Sequence, residues 1–359
     1  MHPLSSSGTP RRAVVPALVA VLVLVASACT AAPAATPTAG ATPPPGDTPA
    51  PATPADDIGP PETTSVSLGI RTGNIGSVAP MFIAIENGYY EEEGLDVEVI
   101  ITDQVQEGVV GGSLQVAAFD PDATAEAVTQ GVPLVMFAGN RQREPLILAV
   151  RAGIDSVEDL EGQDVALGLG PGDPATTFRL DALREAGWDL STVNVNYVNP
   201  PGGSDSRAEL LWGGQIALTY QFPRHKQPTI DAGGQLIVDD YLDPFLNDAF
   251  IATRDFVEAN PNTLTRFIRA TIKGKQIFAD LANKDEVLDI MARAGFEVGQ
   301  SEHDFYEADP PQHDIDMAIP REGYDNLIAA SGVEDPGFDV MTNLESLHAA
   351  QRSLGLPER

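Results

Sequence analysis

Period-two alternation opens the globular part of the chain. Val66, Leu68 and Ile70 alternate with polar or small residues, the pattern of a strand with one buried face. Residues 71–77 then read as a loop carrying Gly73 and Gly76. A helix is expected from about Pro80, since proline suits a first helical turn where its missing N–H is not needed. Phe82, Ile83, Ile85 and Tyr89 give that helix an apolar side. Gly94 ends the acidic run after it, and residues 95–101 alternate again as a second strand. Strand, loop, helix and strand make a βαβ unit, whose ligand-facing edge is the loop after the first strand.

The same logic carries on. Short apolar runs at 114–119, 133–138, 145–150, 165–169, 193–198, 216–220, 235–238 and 250–253 predict strands. Helical segments at 122–130, 156–160, 175–186, 206–212 and 226–232 separate most of them. This alternation is that of an α/β protein with mostly parallel sheets. Leu264, Phe267, Ile268, Ile272, Ile277 and Phe278 set a helical period over 263–282, and further helices are expected at 284–294, 324–330 and 340–354. Residues 298–320, rich in Asp, His and Pro, are expected to be irregular and solvated.

Two segments carry a family resemblance. Pro80, Ala84, Gly88, Tyr89 and the run Glu93-Gly94-Leu95-Asp96-Val97 are similar to the opening of the periplasmic solute-binding family that serves nitrate, sulfonate, taurine, thiamine-pyrimidine and riboflavin importers. Ile154-Asp155-Ser156-Val157-Glu158-Asp159-Leu160-Glu161-Gly162-Gln163-Asp164-Val165 resembles a second segment of that family, with Asp164 where the family carries Lys. The resemblance runs from about residue 66 to 292. It implies a two-lobed periplasmic-binding-protein fold (type II), with a hinged cleft between two mostly parallel sheets. Lobe I is expected at 62–143 and 240–359, and lobe II at 144–239. It also implies a small-molecule ligand, an ABC permease and ATPase as partners, and a monomer. The same fold resembles pyrimidine synthases of thiamine biosynthesis, which carry a Cys-rich motif that this chain lacks; the chain is therefore expected not to be an enzyme.

Composition sharpens the picture at the N-terminus. Among 359 residues there is one cysteine, Cys29, so an intrachain disulfide is excluded. Arg11 and Arg12 precede an apolar run ending Ala26-Ser27-Ala28-Cys29, which reads as a signal peptide over 1–28. The small-small-Cys ending resembles a lipoprotein box and implies lipidation of Cys29, with the chain anchored on the extracytoplasmic face of the cell membrane. Residues 29–61 are mainly Ala, Thr, Pro and Gly and are expected to form a disordered tether. The net charge of −31 disfavours nucleic acid as a partner.

Candidate chemistry lies in the loops at the carboxyl ends of strands. Phe119-Asp120-Pro121 and Gly172-Asp173-Pro174 both read as strand, Asp cap, Pro, helix. A carboxylate at each helix start would repel a small anion, which favours a neutral or weakly basic ligand. Phe119, Tyr220, Phe222 and Tyr241 are candidates for stacking on a flat heterocycle. Asn74, Gln142 and Gln221 are candidate hydrogen-bond partners, and Thr176 lies in the same loop as Asp173. Arg141, Arg143 and Arg224 keep an oxyanion ligand open. A heterocyclic vitamin or precursor, riboflavin or the thiamine pyrimidine, is the expected ligand; alkanesulfonate, taurine or nitrate is the alternative. Gly168, Gly170 and Gly172 lack dinucleotide-fingerprint spacing. Glu302, His303, His313, Asp314 and Asp316 match no metal-site spacing, so neither cofactor nor metal is expected.

Overall fold

The computed structural model describes residues 58–71, 75–201 and 203–359. The chain divides after Pro54, and the fold is that of the unit Ala55–Arg359. Its first sheet is built from β1 (Ser65–Ile70), β2 (Asp96–Ile101), β3 (Val116–Phe119), β4 (Leu134–Arg141) and β10 (Asp248–Thr253), in the order β2-β1-β3-β10-β4. The second contains β5 (Glu144–Val150), β6 (Asp164–Ala166), β7 (Asn196–Tyr197), β8 (Leu218–Gln221) and β9 (Gln235–Leu242), in the order β7-β6-β8-β5-β9. In the first sheet β10 alone runs against its neighbours, and in the second β5 does.

Connectivity explains that shared pattern. β4 leads into β5 through Gln142 and Arg143, and β9 leads into β10 through residues 243–247. Strands β3 and β4 end at the junction between the sheets, whereas β5 and β10 start there and so run the other way. The second lobe extends beyond the expected boundary at 239. Asp239, Asp240, Tyr241 and Leu242 continue β9 by pairing with Ile147, Leu146, Pro145 and Glu144.

The first helix starts earlier than the sequence implies, at Ile75, and runs to Glu86 with Pro80 inside it. A proline there removes the bond to the carbonyl four residues back, that of Gly76. His313 replaces it, with Nε2 2.8 Å from the Gly76 oxygen, and Asn140 Nδ2 donates to the Ser77 carbonyl at 3.0 Å. A carbonyl only accepts, so His313 carries its proton on Nε2 and leaves Nδ1 to accept from Lys275 Nζ at 2.9 Å. Burial, and then the Lys275 charge, holds the His313 pKa well below the usual imidazole range and keeps the ring neutral.

His313 and Asp316 are 8% and 4% exposed, which corrects the reading of residues 298–320 as a solvated segment. That stretch forms a helix, Gln300–Phe305, and two short turns, then packs beneath the junction of the lobes. Gln142 is buried there as well: it donates to the Ala318 carbonyl at 2.9 Å and accepts from the Asp314 amide at 2.8 Å.

The helix Pro261–Ala279 buries Leu264, Phe267, Ile268, Thr271, Ile272, Lys275 and Phe278, a stripe at three- and four-residue spacing. Tyr90 stacks on Phe267 at 5.3 Å, and Phe250 meets Phe267 edge-on at 5.5 Å. At Gly274 an added Cβ would lie 2.1 Å from the Pro80 carbonyl, so this glycine lets the two helices touch through backbone. Glu62 accepts from the Asn262 and Thr263 amides at 3.1 and 2.8 Å. Arg266 donates to the carbonyls of Ile58 and Gly59 at 3.2 and 3.1 Å. Residues 58–61 are therefore fastened to the first lobe and do not belong to the tether expected over 29–61.

Candidate functional site

Strand ends from both sheets, with the crossing segments, line two adjoining cavities of ≈ 270 and ≈ 500 Å³. Asp120, Glu144, Asn247 and Phe222 border both, so the cavities are compartments of one cleft. The size range is that of small-molecule sites. The first lobe contributes Arg71 from the end of β1, Ser77 and Val78 from the first helix, and Phe119 from β3. The second contributes Phe178 and Arg179 from the helix Pro174–Glu185, and Tyr220 and Gln221 from β8. The helix Arg321–Ser331 lends Leu327, Ala330 and Ser331, closing one side of the smaller cavity.

Of the residues singled out in the sequence, Phe119, Asp120, Arg141, Tyr220, Gln221 and Phe222 lie on these walls. Asp173, Thr176 and Tyr241 lie elsewhere. Asp173 accepts from Thr176 N at 2.9 Å and from Thr176 Oγ1 at 2.6 Å. At Gly168, φ 133°, an added Cβ would strike both side chains. The Gly-rich turn is thus wrapped on its own helix cap. Tyr241 donates from Oη to the Ala308 carbonyl at 3.0 Å. Asn74 and Cys29 fall outside the described residues.

Two chemical expectations need correction. Asp120 starts the helix Pro121–Thr129, but its side chain makes no capping bond; its carboxylate pairs with Arg71, which also lies 5.1 Å over the Phe119 ring. Nor does Tyr220 have an open face. The guanidinium carbons of Arg179 and Arg207 sit 3.7 and 3.9 Å from its ring centroid. Two planar cations come that close to one centroid only from opposite sides, so a ligand cannot stack there. Phe222, at the border of the two compartments, is the sequence-nominated aromatic of the second lobe that still faces the cleft, and Phe178 and Phe245 join it.

The arginines considered for an oxyanion are engaged by the protein. Arg141 reaches Gln312 and Asn247 at 3.3 Å each, with Asp248 at 3.8 Å. Arg143 joins Asp243 at 2.8 Å to Asp314 at 2.7 Å. Arg224 is held by Asp205 at 2.9 Å and Ser204 at 2.7 Å.

Glu144 and Asp248, which the sequence reading did not pick out, carry the polar character of the floor. Burial raises the Glu144 pKa against the pull of Arg141 and Arg179, and Asn247 Nδ2 donates to its carboxylate. Burial pushes Asp248 up to about 6, again against Arg141, and raises Asp122. Among the described residues lining the two cavities there are five carboxylates, from Asp103, Asp120, Asp122, Glu144 and Asp248, and three guanidiniums, from Arg71, Arg141 and Arg179. Such a wall suits a ligand that donates N–H groups and disfavours a small anion. A signal was present in the sequence. Glu144 and Asp248 are charged residues opening otherwise apolar strands, and Ala175, Phe178 and Arg179 share one face of a helix.

Comparison with known proteins agrees with this architecture. The chain is 29% identical over 224 residues to a formylaminopyrimidine-binding protein of Halalkalibacterium halodurans, covering 59% of this chain and 64% of that one. It is 27% identical over 228 residues to a riboflavin-binding protein of Chloroflexus aurantiacus, covering 59% and 61%. The matched region thus spans somewhat under two thirds of each relative. Among solved structures, a periplasmic sulfonate-binding protein of a sulfonate ABC transporter from Methylobacillus flagellatus superposes with a TM-score of 0.61 at 16% identity, over 81% of this chain and 95% of that one. That likeness shows the two-lobed periplasmic-binding-protein fold. Residues 76–281 match the family described as NMT1/THI5 like, and the chain belongs to that family.

Proposed function

We propose that the protein is the solute-binding component of an ABC importer and that its cleft receives a neutral or weakly basic heterocycle, of the aminopyrimidine or flavin kind. The observation that carries this reading is the balance of the cleft wall: carboxylates outnumber guanidiniums, and Glu144, whose pKa is raised by desolvation, borders both compartments as an acceptor. An amino group on a heterocycle matches such an acceptor. Phe119, Phe178 and Phe222 offer flat apolar surface to the ring. The names of the two relatives, a pyrimidine binder and a flavin binder, support the same class of ligand. The reading is one of capture and delivery rather than catalysis. Its partners are a permease and an ATPase, and the binding protein acts as a monomer. The sequence around Cys29 supports attachment by a lipid to the extracytoplasmic face of the membrane.

Isothermal titration of the full chain, purified in detergent, against formylaminopyrimidine, riboflavin, taurine and nitrate tests the ligand class. Binding of a heterocycle with silence from both anions is expected. Binding of taurine or nitrate alone would overturn the reading. Glu144→Gln removes the charged acceptor and is expected to weaken aminopyrimidine binding by about ten-fold or more, the scale of a hydrogen bond to a charged group.

A further inference from the structure

The two compartments of the cleft differ in size and in chemistry. The smaller, of ≈ 270 Å³, is walled largely by apolar side chains, among them Phe178, Phe222, Leu242, Phe245 and Leu327. The larger, of ≈ 500 Å³, is bordered by Arg71, Asp103, Asp120, Arg141 and Asp248. Four of these charged groups come as pairs. Arg71 donates to Asp120, and Arg141 Nε lies 3.8 Å from Asp248. The Arg71 and Asp120 side chains are 46% and 38% exposed, so a molecule in the compartment can reach both. Asp103 is exposed as well. Asp120, Glu144, Asn247 and Phe222 border both compartments, so one molecule can extend from the first into the second. A single small ring can occupy one of these spaces but not both.

We propose that the larger compartment is a subsite for an uncharged, polyhydroxyl arm carried by the ligand's ring, with Arg71, Asp120 and Asp103 as the side chains that recognise it, while the ring itself seats in the smaller compartment. This rests on the reading of the cleft as a heterocycle site and narrows it to rings that bear such an arm, as flavins of the riboflavin kind do, over a bare aminopyrimidine. The chemistry of the wall gives the reason. A guanidinium only donates and a carboxylate only accepts. Each arginine–aspartate pair therefore sets donors and acceptors side by side, and a hydroxyl, which does both, matches them. An ammonium would find the acceptors but lie against Arg71 and Arg141. A phosphate or sulfonate would find the donors but lie against Asp103, Asp120, Glu144 and Asp248. Arg71 is suited to the task because a guanidinium has five N–H donors, more than its bond to Asp120 takes up. Its position 5.1 Å over the Phe119 ring restrains it at the wall.

Titration of the full chain with riboflavin, lumiflavin and formylaminopyrimidine tests the assignment. Lumiflavin has the flavin ring system with a methyl group in place of the polyhydroxyl arm. Riboflavin is expected to bind at least ten-fold more tightly than lumiflavin. Flavin mononucleotide, whose arm ends in a phosphate, is expected to bind more weakly than riboflavin. Arg71→Gln removes the guanidinium and is expected to cut the ratio of riboflavin to lumiflavin affinity three- to ten-fold, a readout that general loss of structure does not produce. Asp103→Ala is expected to move the ratio the same way, and it keeps the test open should R71Q not fold. Three outcomes would overturn the arm subsite while leaving the heterocycle reading intact: equal wild-type affinity for riboflavin and lumiflavin, a ratio unchanged in both variants, or binding of formylaminopyrimidine without any flavin. Tighter binding of flavin mononucleotide than of riboflavin would refute an uncharged arm. A wild-type chain that binds none of the heterocycles sinks both readings.

Discussion

Arg179 and Arg207 cover the two faces of Tyr220, and at the residue scale this arrangement separates what the ring does for the fold from what it does for the ligand. The ring spaces two guanidiniums that burial disfavours as charges. Tyr220→Phe keeps both covered faces and is expected to leave heterocycle affinity within about two-fold of wild type. Tyr220→Ala leaves two cations across an empty volume and is expected to destabilise the chain by roughly 3 kcal/mol, read from the urea midpoint. Asp248 gives a pH signature. Its folded pKa of about 6 lies above the ordinary 3.8, so the folded state binds the proton more tightly than the unfolded state. The corresponding stability is present below about pH 4 and is lost as pH rises through 6, at about 1.4 kcal/mol for each pH unit between the two pKa values. Wild type is therefore expected to gain stability relative to Asp248→Asn when urea midpoints measured at pH 7 are repeated at pH 4.5. Parallel midpoints for the two proteins would refute this.

At the scale of elements, the helix Ile75–Glu86 shows how a local rule is broken and compensated. Pro80 deprives the Gly76 carbonyl of its helical partner, and His313 supplies another from far along the chain. His313→Leu leaves both that carbonyl and the ammonium of Lys275 short of a partner. A loss of about 2–4 kcal/mol is expected by chemical denaturation, given about 1–3 kcal/mol for a buried polar group left unmet and the bond that Lys275 keeps to the Asn140 carbonyl. The same helix touches Pro261–Ala279 through Gly274, where a methyl group would collide with the Pro80 carbonyl. Gly274→Ala is expected to destabilise by about 1–3 kcal/mol through overpacking, despite the better helix propensity of alanine. A neutral or stabilised G274A would show that the helices can separate freely.

For the whole molecule, the two chain crossings define the hinge. Arg143 in the first crossing binds Asp243 in the second and Asp314 in the segment beneath them. These partly exposed pairs are worth about 0.2–1 kcal/mol each, too little to control the fold. Arg143→Ala is expected to leave the melting temperature nearly unchanged while altering the contraction on ligand binding seen by small-angle scattering. An unaltered contraction would remove Arg143 from the hinge.

Much of this protein was legible in its sequence. Period-two runs and helical stripes marked the strands and helices because burial of one face is a local, repeating demand on residue type. The order of those elements, together with the family-like segments, implied two lobes and a cleft, and it placed Phe119, Asp120, Arg141, Tyr220, Gln221 and Phe222 near it. What those side chains do there was decided in three dimensions. Asp120 left its cap for Arg71, and Tyr220 was closed off by two arginines; the cap expected at Asp173 forms. Glu144 and Asp248 became acceptors of the cleft floor because both open strands at the crossings. The helix running through Pro80 is possible because His313 arrives from more than two hundred residues away. Periodicity reports which face of an element is buried; partners distant in sequence settle which polar atoms remain free, and in this cleft the free atoms are what a ligand meets.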